Sequence, residues 1–172
     1  PEPFGDGGTK MAWNTFNVVS IYPNGNPVMS DVNQRWVGDC CACAVIASMA
    51  YLYPRFVKHI IKDNMDKTYT VTMYDPKGKQ ISVGVGGDYF IGNSGDLGAL
   101  GGRNKEVTWA TILEKAMIKW NQIYQGSSNV GGIGTEYVSA IFTGDGESVG
   151  FGANELIAED LQRAVEVSLK QG

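Results

Sequence analysis

Histidine is nearly absent from this 172-residue chain, which holds a single one, His59. Cysteine is scarce too, and its three residues are confined to one place, Cys40-Cys41-Ala42-Cys43. A disulfide framework needs thiols spread along the chain so that bridges close loops, and this crowding excludes it. It also argues against a structural zinc site, because thiols and one lone imidazole do not supply paired ligand knuckles. Charge is thin: 19% of residues, 14 basic against 18 acidic, for a net charge of -4. Binding a phosphate backbone requires clustered Lys and Arg, so no nucleic-acid partner is expected. Long apolar runs are missing too. The longest, Cys40 to Tyr53, is interrupted by Ser48 and falls short of the ~20 residues that span a bilayer, so no transmembrane segment is expected. Neither glycine-rich tract contains the Gly-Lys-Ser or Gly-Lys-Thr that a phosphate loop requires. What remains for the thiols is a reactive cysteine or a buried cluster.

Hydrophobic residues make up 43% of the chain, enough for one compact domain that buries roughly 70% of its unfolded surface, or for half of an enzyme. The chain begins at Pro1 without the pattern of a signal peptide, and reads as a processed or excised piece. Residues 1–30 read as an extended N-terminal segment with turns at Tyr22 to Pro27. Residues 31–172 read as one folded unit. Its first strong element runs from Asp39 to Leu52, small and apolar nearly all round, the signature of a buried helix, which Pro54 breaks or kinks. A second helical stretch, 54–62, puts Phe56, Val57, Ile60 and Ile61 on one face and carries His59. Lys67 to Tyr74 alternates threonine with large apolar residues, and Gln80 to Val85 answers it across Asp75-Pro76-Lys77-Gly78, which predicts a β-hairpin near 67–85. Residues 84–102 hold eight glycines and read as a long loop. Glu106 to Tyr124 is an amphipathic helix with Thr108 as N-cap and Lys115, Lys119 and Gln122 on the polar side. A second glycine-rich tract, 126–152, reads as a loop, and 161–172 as a helix closing on a terminal Gly. The fold class is α+β, mainly helical.

Gly38-Asp39-Cys40 delivers a thiol to the first turn of the buried helix, where unpaired backbone N–H groups and the helix dipole favour the thiolate. Gln34, six residues upstream, has an amide suited to stabilise the oxyanion formed when that thiolate attacks a carbonyl. The competing reading makes Cys40 a small packing residue. On either reading Cys41 and Cys43 are core packing.

Asp31-Val32-Asn33-Gln34-Arg35-Trp36-Val37-Gly38-Asp39-Cys40 resembles the catalytic-cysteine motif of the calpain-like cysteine peptidases, D-[VI]-x-Q-G-x-[LI]-G-D-C-[WYF]. The resemblance continues through the strand at Lys67 to Tyr74, through Val83 to Asp88, through Trp109-Ala110-Thr111-Ile112-Leu113-Glu114-Lys115-Ala116, and through Gly131-Gly132 followed by Thr143-Gly144. It implies a papain-like N-terminal subdomain in which a central helix carries the nucleophile, Cys40, with Gln34 as the oxyanion donor. It implies peptide or protein substrates and a catalytic His and Asn on a following subdomain outside this chain. His59 does not replace them, because it would lie roughly 28 Å from Cys40 along an unbroken helix. It reads as a half-buried structural residue. The resemblance further implies calcium, held by Asp31 and Glu114 with backbone carbonyls near Asn24 and Asn26, since carboxylate and carbonyl oxygens suit a hard cation. Without an ion, Asp31 would cap a turn and Glu114 would be a solvated helical charge.

Two positions depart from the motif: Arg35 stands where glycine is usual and Cys41 where an aromatic is usual. They leave open a catalytically silent binding or regulatory module on the same scaffold. The same nucleophile would also serve a thiol transferase or a transglutaminase-like enzyme.

Overall fold

The computed structural model describes residues 12–92 and 94–145. Among the described residues, four α-helices and two small antiparallel sheets make an α+β arrangement. The helix expected at 161–172 lies outside the described residues.

The helix expected to be most buried is not. Helix α1, Cys40–Leu52, buries only the stripe Ala42, Ile46, Met49 and Ala50, while Cys40, Ala44, Ser48, Tyr51 and Leu52 face solvent. An apolar sequence permits burial on every side, but α1 meets the helices Pro54–Ile60, Trp109–Gln125 and Thr135–Thr143 and the Met29–Asp31 turn on part of its circumference only. Pro54, which has no N–H to continue the ladder, takes the first turn of α2, Pro54–Ile60, and the axis bends by 113° between the two. His59 on α2 is exposed rather than half-buried, and the bend voids any distance drawn along one straight helix. Among the described residues, no single helix is long and apolar enough to cross a membrane.

The centre of the domain is α3, Trp109–Gln125. Its apolar face, Trp109, Ile112, Leu113, Ala116, Met117 and Trp120, lies in the core as the periodicity predicts. Of the side read as polar, Lys119 and Gln122 are half-buried and Lys115 is buried. Lys115 is 4% exposed, its Nζ paired with Asp88 Oδ1 at 2.9 Å and set over the rings of Trp13 and Tyr89. Thr108 is the N-cap residue; its N–H donates to Thr111 Oγ1 at 2.9 Å. The helix stops at Gly126, whose φ of 70° is the left-handed conformation glycine adopts at no steric cost.

Strand β3, Tyr69–Tyr74, sits between β2, Ile61–Asp63, and β4, Gln80–Val85. Its alternation turns Tyr69, Val71 and Met73 inward, with Val71 opposite Val83. The hairpin turn is fixed by Asp75, whose carboxylate accepts from the N–H groups of Lys77 and Lys79, both at 2.9 Å. Two elements lie where loops were expected. Strand β5, Asp88–Ile91, pairs with β1, Ala12–Thr15, inside the first glycine tract. Helix α4, Thr135–Thr143, lies inside the second and packs on α1 and β3.

Candidate active site

The segment 33–36 lies along the far end of the first glycine tract. The Asn33 N–H donates to the Gly101 carbonyl at 3.0 Å and the Trp36 N–H to the Gly98 carbonyl at 3.1 Å. The Asn33 side chain reaches the same Gly101 carbonyl at 3.0 Å. Glycine is needed for that approach: a Cβ on Gly92 would meet the Trp36 indole nitrogen at 2.6 Å, and one on Gly98 would meet the Phe90 ring at 2.5 Å. The glycine-rich tract is therefore a close-packed bed for the motif segment. Arg35, the first departure from the motif, is half-buried, and its guanidinium donates to the Gly102 carbonyl of the same bed.

From that bed the chain turns into α1. Cys40 is the first residue of the helix and is exposed, while Cys41 and Cys43 are half-buried rather than fully packed. Gln34 is exposed; one amide hydrogen goes to the Val37 carbonyl at 2.9 Å, and the amide also lies against the Asp39 carboxylate. The second departure, Cys41, has its thiol held up by partial desolvation and by Cys40 and Glu136 beside it.

Sequence reasoning passed over Asp39. An aspartate at an N-cap position ordinarily accepts from the first-turn N–H groups, yet this one makes no side-chain cap hydrogen bond. It turns inward instead, 1% exposed, and accepts from the Cys43 Sγ at 3.5 Å. Glu114 meets it from α3. Glu114 is no solvated charge but 1% exposed, with Oε2 accepting from the Leu100 N–H at 2.9 Å. Burial pushes the Asp39 carboxyl up. Glu114 rises well above the usual range, through burial first and then the Asp39 charge beside it. Two carboxyls in contact away from water cannot both ionise cheaply, so the pair holds a proton above the usual carboxylate range. The same environment pushes the Cys43 thiol far up, by burial first and then by Asp39. The one sequence signal for this arrangement was an aspartate directly before the helix with no capping partner three residues on.

The residues expected to hold calcium are placed differently. Asp31 is buried and its carboxylate is already taken: Oδ1 accepts from Asn24 Nδ2 at 2.9 Å, and Oδ2 from the Val28 N–H at 3.2 Å and the Trp109 indole at 2.7 Å. Asn24 thus gives Asp31 its side-chain NH2 group, whereas the expected calcium contacts near Asn24 and Asn26 are backbone carbonyls. Asn26 stands exposed in the loop before that turn. Glu114 is committed to Leu100 and Asp39. N–H donors are the opposite of what a cation requires of its surroundings, so the Asp31 and Glu114 carboxylates as placed are committed to the fold. Among the described residues, no group of three or more His, Cys, Asp or Glu is arranged to hold a metal ion.

None of the curated proteins matches the chain. A sequence model described as calpain family cysteine protease matches residues 13–169. That span contains the motif bed, the exposed thiol at the head of α1 and the α3 helix beneath it, and the chain belongs to the calpain family of cysteine proteases.

Proposed function

We propose that this chain is the thiol-bearing, papain-like part of a cysteine endopeptidase whose general base, a His oriented by an Asn, is supplied by a subdomain outside it. The observation that carries the reading is the separation of the three thiols: Cys40 is exposed at the head of α1, while its two companions are half-buried. Asp39 leaves the first-turn amides of α1 without a side-chain cap, so they stay open toward an approaching carbonyl. The Cys40 sulfur attacks the carbonyl carbon of a peptide bond and the C=O electrons move onto oxygen. The Gln34 amide is the donor for that oxyanion. Collapse of the tetrahedral intermediate breaks the C–N bond, the incoming acid protonates the leaving amine, and water hydrolyses the thioester. His59, the chain's single imidazole, is exposed on α2 beyond the bend and takes no part. Calcium enters no step.

A catalytically silent module is the second reading, motivated by Arg35 and Cys41. The Arg35 guanidinium is tied to the Gly102 carbonyl rather than free to fill the substrate approach, which favours the first. Iodoacetamide should alkylate Cys40 well ahead of Cys41 and Cys43, by roughly tenfold or more given their exposure. Together with a His/Asn-bearing subdomain the chain should hydrolyse an unfolded protein substrate, and Cys40→Ala should abolish this. Fast alkylation of Cys40 without any hydrolysis would select the silent module, and hydrolysis that persists in Cys40→Ala would overturn both.

A further inference from the structure

Cys40 and Cys43 stand on one turn of helix, closed by the Cys43 N–H donating to the Asp39 carbonyl at 3.0 Å. Helix geometry separates the Cα atoms of residues three apart by about 5 Å, inside the range of roughly 4.4–6.8 Å that disulfides use. The adjacent pair Cys40 and Cys41, at about 3.8 Å, falls outside it. Cys40 is exposed and Cys43 half-buried, so an oxidant in solution reaches the first before the second. Cys43 already points its S–H at a buried carboxylate, Asp39 Oδ1, at 3.5 Å.

We propose that Cys40 and Cys43 are a reversible redox pair, in which peroxide oxidises Cys40, Cys43 resolves it to a disulfide, and Asp39 takes the Cys43 proton. The Cys40 thiolate attacks one oxygen of hydrogen peroxide; the O–O bond breaks, sulfur becomes a sulfenic acid, and the departing hydroxide is protonated to water. Cys43 gives its proton to Asp39 and its sulfur attacks the Cys40 sulfur. The S–S bond forms, the S–OH bond breaks, and the second hydroxide recovers the proton from Asp39 as water. The sum is two thiols and one peroxide giving one disulfide and two waters, and a dithiol reverses it by exchange. What is switched rests on the peptidase reading of Cys40; the bond itself does not.

The experiment treats the chain with one equivalent of hydrogen peroxide, alkylates the remaining thiols, and reads intact mass and fragmentation of the Cys40–Cys43 peptide. The expected product has lost the mass of two hydrogens, carries a single alkyl group on Cys41, and returns to three alkylated thiols after dithiothreitol. Cys41→Ser should behave the same, with no thiol left to alkylate. Cys43→Ser should give no disulfide and, given a second equivalent of peroxide, accumulate sulfinic acid that dithiothreitol does not reverse; Cys43→Ala serves if the serine variant fails to fold. Asp39→Asn should slow closure by roughly tenfold or more. A disulfide that still forms in Cys43→Ser, a link through Cys41, or irreversible oxidation of the unmodified chain would each overturn the pair. No proteolysis enters this test, so a chain that closes the bond yet cuts no peptide when joined by a His/Asn-bearing subdomain overturns only the peptidase reading.

Discussion

Asp31 shows how one carboxylate can serve the fold rather than an ion. It joins three pieces of chain through the Asn24 amide, the Val28 N–H and the Trp109 indole, and its own carbonyl receives the Thr108 hydroxyl at 3.3 Å. The start of α3 is thereby fixed to the turn that leads into the motif segment. Hydrogen bonds to a buried charge are worth more than neutral ones, about 1.5–3 kcal/mol each. Asp31→Asn keeps the shape but removes the charge and turns an acceptor into a donor facing other donors. It should lower stability by about 2–4 kcal/mol, a fall in Tm of at least roughly 4 °C for a chain of this size. Thermal melts read by tryptophan fluorescence would show it, and they should show it equally with calcium present or chelated. A loss of stability that appears only with calcium would restore Asp31 to a cation site.

Among the elements, the first glycine tract has the least sequence signal and the most positional consequence. Alternating threonine made β3 visible, and spacings of three and four made α3 visible, because both patterns are local. Strand β5 was hidden because its partner, β1, lies far back along the chain, and α4 was hidden by the glycines around it. The apolar composition of α1 correctly marked a helix, but composition does not say how much of a helix its neighbours cover. The motif pointed to Cys40 and Gln34, while the bed beneath them emerged only from the packing of Trp36 and Phe90 on glycines. That bed yields a sharp expectation. Gly98→Ala places a Cβ 2.5 Å from the Phe90 ring and 2.9 Å from the Gly92 nitrogen, so the backbone or the ring must shift. Overpacking of this kind costs about 1–3 kcal/mol, and here the displaced chain is the one that accepts from the Trp36 N–H. Gly98→Ala should therefore lower Tm and change the alkylation rate of Cys40, whereas Gly38→Ala, with open space around its Cβ, should leave Tm nearly unchanged. A Gly98→Ala chain with the parent's melting curve and alkylation rate would show that the bed does not position the thiol.

For the whole molecule, the pH dependence of stability carries the signature of the Asp39–Glu114 pair, which sequence reading left as two unrelated carboxylates because they are far apart in the chain. Several carboxylates work in the ordinary direction: Asp88, held down by Lys115 against the cost of its burial, and Asp66 and Asp96, held down by the hydroxyl of Thr68 and by Lys105. Their contribution is present above about pH 3.9 and is lost as pH falls below it. Glu114 and Asp39 run the other way. The unfolded chain releases these protons near pH 3.9–4.3, roughly, while the folded chain keeps one on the pair. Stability is thus greatest at the acid side of that window and declines as pH rises through the folded values, because deprotonation leaves two charges facing each other away from water. The two trends together give an expected maximum of Tm at mildly acidic pH with a fall toward pH 8. In Glu114→Gln the amide oxygen still accepts from Leu100 and the NH2 still donates to Asp39, but no proton is bound on folding. That variant should melt higher than the parent near pH 8, by about 1–3 kcal/mol or roughly 2–4 °C per kcal/mol, and its Tm should vary less between pH 5 and 8. Melting curves across that range decide it: parallel slopes in the two chains would mean that the proton is not shared at this site, and a lower Tm for Glu114→Gln at every pH would mean that the carboxyl acts there as a plain anion.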